Sequence, residues 1–218
     1  NATSAINIPA LKPQKLEAVK DYMSLAQNLA QFASQLTEGA IKEVNIIVSG
    51  LLAKLDVSPL EIAILKGVLS ANMIGINYVN APIVAQKRGI ETKVSKTNES
   101  QTTISLTIKT STKTTTIKGD LIGKNIQRII ELDNYNVAIE PKEHMLIVPH
   151  INKPNMVGSV AGVLGSCNIN ISAMSVAKND VSNKSIMIFN IDSKVEQETL
   201  DKISSIDGVD NPCCINLV

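Results

Sequence analysis

Between Glu143 and Val218 the chain runs through six short segments in an order that few folds accept. Glu143 to Ile151 reads as a strand, Met156 to Cys167 as a helix, and Ile171 to Lys178 and Lys184 to Asp192 as two strands. Glu196 to Ser205 follows as a helix and Val209 to Val218 as a last strand. The order is βαββαβ, the split-βαβ or ferredoxin-like arrangement. It places a domain boundary near Pro141, dividing the chain into residues 1–141 and 142–218.

The first part reads differently. From Pro13 to Leu36 the apolar residues Leu16, Val19, Met23, Ala26, Leu29, Ala30, Ala33 and Leu36 recur every three or four positions, the mark of an amphipathic helix. Gly39 is a stop, and Ile41 to Ser49 alternates as a strand. Ser58, Pro59 and Glu61 form a capping-box pattern that opens a helix reaching about Leu69, and Pro82 to Lys87 is a third helical stretch. From Glu91 to Glu140, Thr, Ile and Val dominate short runs that read as antiparallel strands, with turns at Asn98 to Ser100 and Thr110 to Thr114. The expected class is α+β: an α/β domain with an antiparallel sheet, then the ferredoxin-like unit.

Composition narrows the function classes. With 218 residues and 44% hydrophobic content the chain can fill two cores, but only 2% is aromatic and Trp is absent, so Ile, Val, Leu, Ala and Met must pack them. The 21 basic and 20 acidic residues leave a net charge of +1, which gives no field to gather nucleic acid or an anionic membrane. No run approaches a membrane span, and no basic segment precedes an apolar one at the start. The four Asn-X-Ser/Thr triplets, beginning at Asn1, Asn98, Asn170 and Asn183, are then chance matches. Cys167, Cys213 and Cys214 are odd in number and two are adjacent, as expected of a reducing, cytoplasmic setting or an organelle stroma or matrix. The chain opens on Asn1 rather than Met, as a piece of a longer protein would.

Catalytic signals are missing. His144 and His150 sit in no metal-binding motif, and neither GxGxxG nor GxxxxGK[ST] occurs, so no cofactor is expected in this segment. Gly158, Gly162 and Gly165 read as small residues that let a helix pack closely on its sheet. The segment from Pro149 to Val176 is more informative, because a strand there runs through a short polar loop into a helix whose first N–H groups suit a carboxylate. His150, Asn152 and Asn170 lie around it; the plainer reading has Asn152 cap the helix and Asn170 shape a turn.

The run His-Ile-Asn-Lys-Pro-Asn-Met-Val-Gly, followed by Asn-Ile-Asn-Ile, resembles the amino-acid-binding ACT domain, in the serine-sensing form that ends D-3-phosphoglycerate dehydrogenases. The resemblance implies that His150 and Asn152 on the loop and Asn170 before the next strand hold the effector, with Asn155, Met156 and Val157 beside it. Asn155 stands where that family usually has Gly; Asn tolerates left-handed backbone, but its side chain narrows the pocket and leaves the effector open among small amino acids. NIPALKPQKLEAVKDYMSLAQNLAQFASQL and NYVNAPIVAQKRGIETKVSKTNES resemble the intervening domain of the long-form dehydrogenase, so the likeness covers nearly the whole chain. There it implies a second anion site at Asn80, Lys87 and Arg88; the alternative is a Lys-Arg pair favoured by a helix dipole. The implied parent oxidises 3-phosphoglycerate with NAD in L-serine biosynthesis, and the implied partners are L-serine or another small amino acid and further copies of the chain. A stand-alone amino-acid-binding module and the regulatory part of an L-serine dehydratase are the other readings. The dehydratase would add cysteines spaced as cluster ligands.

Overall fold

A computed structural model of the chain describes residues 13–123, 125–179 and 183–217. The triplet at Asn1 and the final Val218 lie outside them. The first part contains helices α1 (Pro13–Gln35), α2 (Ser58–Ser70) and α3 (Ala81–Lys87). Its strands are β1 (Ile41–Ser49), β2 (Glu91–Thr97), β3 (Thr103–Thr110), β4 (Thr114–Ile122), β5 (Ile126–Leu132) and β6 (Tyr135–Ile139). They make one sheet in the order β2-β1-β3-β4-β5-β6.

Alternation along β1 sends Val44, Ile46 and Val48 into the core, where they join Val19, Leu25, Leu29 and Phe32 of α1 and Leu60 and Ile64 of α2. α1 and α2 cross at Gly67. A Cβ there would lie 2.3 Å from the Gln27 carbonyl oxygen and 2.8 Å from the Ala30 Cβ, so only Gly allows the approach. The Ser34 hydroxyl beside it donates to the Val68 carbonyl (2.9 Å).

Two expectations for this part need correcting. β2 pairs with β1 in parallel, Glu43 to Ser49 against Glu91 to Thr97, while the remaining pairs are antiparallel. A parallel pair needs a long crossover, and the segment holding α2 and α3 supplies it. The capping box at Ser58 does not form, because Ser58 is already the first helical residue; its N–H is held instead by Asp56 Oδ1 (3.0 Å).

The second sheet contains β7 (His144–Ile151), β8 (Ile171–Lys178), β9 (Lys184–Ile191) and β10 (Cys213–Asn216), with helices α4 (Met156–Ser166) and α5 (Gln197–Ser204). The order β10-β7-β9-β8, antiparallel throughout, is that of a βαββαβ unit. The last strand is shorter than the sequence suggested; Val209 makes only an isolated bridge to His150.

The central strands β7 and β9 have two buried faces. Leu146, Val148, Met187 and Phe189 lie with Met156, Val160 and Leu164 of α4 and Ile203 of α5. Met145, Ile147, Ile186, Ile188 and Ile215 point the other way, into the cluster formed around α1 and the first sheet. Polar contacts pin this joint: the Asn216 N–H donates to Gln35 Oε1 (3.0 Å) and Gln35 Nε2 to the Asn216 carbonyl (2.9 Å). The Ala138 N–H donates to Ser175 Oγ (3.1 Å), and Asn190 Nδ2 to the Glu140 carbonyl (3.0 Å).

The glycines of α4 do not pack on the sheet. Gly158, Gly162 and Gly165 are exposed, and a Cβ at Gly162 or Gly165 would meet nothing within 4 Å. Their spacing put them on one helix face, but it is the solvent face that they share, opposite Met156, Val160 and Leu164.

Candidate functional site

β7 ends in a loop whose backbone is held from both sides. The Ile151 N–H donates to the Gly208 carbonyl (2.8 Å), the Asn152 N–H to the Asn183 carbonyl (2.9 Å), and Lys153 pairs with Asp207. Gly208, at φ +92°, leaves room for Lys153, whose Cε would lie 3.0 Å from a Cβ at that position. The loop is exposed from Ile151 to Asn155.

Asn155 sits at φ 67°, ψ 2°, the left-handed geometry its residue type permits, and α4 begins one residue later. No side chain among the described residues caps that helix, so its first N–H groups, from Met156 to Gly158, have no partner among them. The Asn155 side chain folds back along the helix, with Nδ2 3.4 Å from Ser159 Oγ. Its Oδ1 lies 2.7 Å from where a Cβ on Gly158 would be, so the lack of a side chain at 158 gives it room. Asn152, read in one alternative as the cap, is three residues too early for that role. Met156 is buried at 3% exposure and Val157 is half-buried.

His150 does not stand open on the loop. It is 5% exposed, paired across the sheet with Ser185, and its Nδ1 lies 3.2 Å from the Val148 carbonyl oxygen. Burial pushes the imidazole below its ordinary pKa, against the pull of that carbonyl, and so favours its neutral form. Its Nε2 has no partner among the described residues.

Asn170 lies at the opposite end of the sheet. Ser185 is flanked by His150 on one side and Lys178 on the other, whereas Asn170 precedes Ile171, which pairs with Ile191. From Ser185 to Ile191 the strand runs about 20 Å. Asp192 fixes the backbone of Asn170: its Oδ1 accepts the Asn170 N–H (3.1 Å) and its own N–H donates to the Asn170 carbonyl (3.2 Å). The Asn170 side chain is exposed and has no partner among the described residues. One chain therefore does not bring His150, Asn152 and Asn170 together. The positioning contacts of Asp192, Asp207 and Gly208 carried no sequence signal, because each acts through a backbone or loop that closes only in the fold.

At the second group of residues, Asn80 spends its side chain on its own turn, accepting the Asn77 N–H (2.8 Å) and donating to the Gly75 carbonyl (2.9 Å). Lys87 and Arg88 end α3, where a cation complements the helix dipole. Arg88 lines a cavity of about 460 Å³ with Asn72, Thr37 and the apolar Val68, Leu69 and Ile90. Among the described residues no group of His, Cys, Asp and Glu is placed to hold a metal ion, and no helix is long and apolar enough to cross a membrane.

Comparison with known proteins covers both sheets. The family model described as the D-3-phosphoglycerate dehydrogenase intervening domain matches residues 18–133. The D-3-phosphoglycerate dehydrogenase of Methanocaldococcus jannaschii is 36% identical over 219 residues, 99% of this chain and 42% of that protein. The enzymes of that name from Synechocystis and Bacillus subtilis are 32% and 28% identical, over 99% and 94% of this chain and 40% of each relative. The chain thus spans about two fifths of the length of the relatives it matches.

Proposed function

Because the chain belongs to the D-3-phosphoglycerate dehydrogenase family through its intervening domain, we propose that it is the regulatory segment of such an enzyme and senses L-serine. In this reading residues 1–141 are the intervening domain and 142–218 an ACT domain. The catalytic residues and the NAD site belong to the rest of the parent, an oxidoreductase of L-serine synthesis.

The observation that carries the proposal is the separation of the two ends of the second sheet. The loop of Asn152, with its free helix N–H groups, is at one end and the unpartnered Asn170 amide at the other. Two copies joined antiparallel along β8 would bring the loop of each to Asn170 of the other, completing two sites. β8 suits this role as an edge strand that exposes Met174 at 44% and Val176 at 47%. The α-carboxylate of serine would meet the helix N–H groups, and its ammonium and hydroxyl the Asn152 and Asn170 amides. Buried His150 would support the loop from beneath, and the Asn155 side chain, lying over the first turn, would set how large an amino acid fits. Serine then favours the joined arrangement by the difference in its affinity for the two states, typically about 1–3 kcal/mol.

Calorimetric titration with L-serine, with glycine and L-alanine alongside, tests this. Saturable binding is expected only at concentrations where the chain self-associates, and Asn170→Ala is expected to abolish it while leaving the monomer folded. Binding by a strictly monomeric chain overturns the shared site; no binding of any amino acid overturns the sensor.

A further inference from the structure

The chain contains one Asp-Gly step, Asp207-Gly208, and no Asn-Gly. The step lies in a tight turn closed by the Val209 N–H, which donates to the Ile206 carbonyl (3.0 Å), with Gly208 at φ +92°, a geometry that a residue without a Cβ takes freely. The Asp207 side chain is 98% exposed, and the Gly208 N–H has no partner among the described residues. The carboxyl and the nitrogen that would close a succinimide ring are therefore neighbours in the chain, with no side chain at 208 to keep them apart.

Lys153 stands in the way of that ring. Its ammonium pairs with Asp207, and a Cβ at Gly208 would lie 3.0 Å from its Cε and 3.2 Å from its Nζ, so the lysine lies over the step itself. The hydrogen bond and charge of Lys153 hold the Asp207 carboxyl below its usual range, as a carboxylate. A carboxylate resists attack by an amide nitrogen, because it has no hydroxyl to leave as water. The next charges along the segment, Asp210 and Lys184, meet each other at 3.8 Å.

The same segment fastens the end of β7. The Gly208 carbonyl accepts the Ile151 N–H (2.8 Å), and the Asp210 N–H donates to the Pro149 carbonyl (2.9 Å). We propose that Asp207-Gly208 is a site of spontaneous isoaspartate formation, held in check by Lys153, and that its product unfastens the loop between β7 and α4. The Gly208 nitrogen bonds to the Asp207 side-chain carboxyl carbon, and the carboxyl hydroxyl leaves as water with the amide proton. Water then opens the ring at the main-chain carbonyl carbon of Asp207: its hydroxyl stays on that carbon and its proton goes to the nitrogen. Nothing is oxidised or reduced, and the backbone now runs through the Asp207 side chain with one extra methylene. That methylene moves the Gly208 carbonyl out of step with Ile151. Only a further consequence, weaker serine binding at the loosened loop, rests on the functional reading above.

The test is to hold the 218-residue chain at pH 6 for several weeks in heavy-oxygen water, beside Lys153→Met, with both checked as folded by circular dichroism. Peptide mass spectrometry with electron-transfer fragmentation is expected to find isoaspartate at position 207 carrying heavy oxygen, at least threefold more of it in the variant, and less in either protein at pH 8. High salt, which screens the exposed ion pair, should speed the reaction in the native chain and leave the variant unchanged. In the isomerised fraction the Ile151 amide should exchange at least tenfold faster, with β1 unaltered. No isoaspartate at 207 in either protein, equal rates in the two, a rate that climbs with pH, or an Ile151 amide indifferent to the modification overturns the proposal.

Discussion

On one face of the second sheet Met145, Ile147, Ile186, Ile188 and Ile215 are all 5% exposed or less, because α1 and the first sheet close over them. On the other face α4 and α5 cover Leu146, Val148, Met187 and Phe189 equally well, but that cover stops short of the outer strand, where Met174 and Val176 stay open. The same alternation of apolar residues gives a sealed joint on one side and an unfinished edge on the other. Burial of a strand thus says where the fold is fixed. Exposure of apolar groups at its edge marks where the proposed second copy would pack, and the proposed effector residues flank that edge rather than the sealed joint.

The sharpest way to break the comparison is to hollow out the sealed face. Ile188→Ala should cost about 2–5 kcal/mol in urea unfolding followed by circular dichroism. Because Ile188 belongs to the cluster that holds both sheets, loss should appear as one transition at lower urea, with amide protection falling in β1 and β9 together. Two separated transitions would mean that the joint is not one core. Met174→Ala, on the open edge, should move the same midpoint by no more than about 0.5 kcal/mol at concentrations where the chain is monomeric.

Two glycines carry the contrast to smaller effects. Gly67→Ala pushes a methyl into the Gln27 carbonyl and the Ala30 side chain, and should destabilise by about 1–3 kcal/mol. Gly162→Ala fills open space on a helix surface and should stabilise the monomer by up to about 1 kcal/mol. Sedimentation sharpens the second case: if the bare face of α4 lies against another copy, the same methyl weakens self-association while it strengthens the monomer.

How much of this could be read from residues alone depends on whether the deciding contact was local. β1 and β8 begin and end where alternation put them, and α1 follows its apolar stripe, because period and stop signals act within the segment itself. The direction of β2 was missed because alternation is identical in parallel and antiparallel strands; the long helical stretch between β1 and β2 was the available clue. The glycines of α4 share one face, but which face meets the sheet depends on the surrounding apolar residues. The left-handed Asn155 follows from residue type. The burial of His150 and its distance from Asn170 do not, since both depend on which strands are neighbours.

The smallest effect is read in thiol chemistry, one cysteine for each side of the comparison. Cys213 packs against the sealed cluster, where burial, aided by neighbouring Cys214, pushes its thiol up to about 11. Cys167, at the end of α4, is drawn below its ordinary value by the Thr199 hydroxyl that hydrogen-bonds it. At pH 8 a thiol of pKa about 11 is ionised about a hundredfold less than one at the ordinary value of 9.0, and it is the thiolate that reacts. Iodoacetamide followed by peptide mass spectrometry should therefore mark Cys167 first and Cys213 last, with the gap narrowing as pH rises, since Cys213 gains thiolate when Cys167 is already largely ionised. Rapid labelling of Cys213 at pH 8 would mean that the joint opens faster than the reagent acts, and the sealed face would then differ from the open edge in degree only.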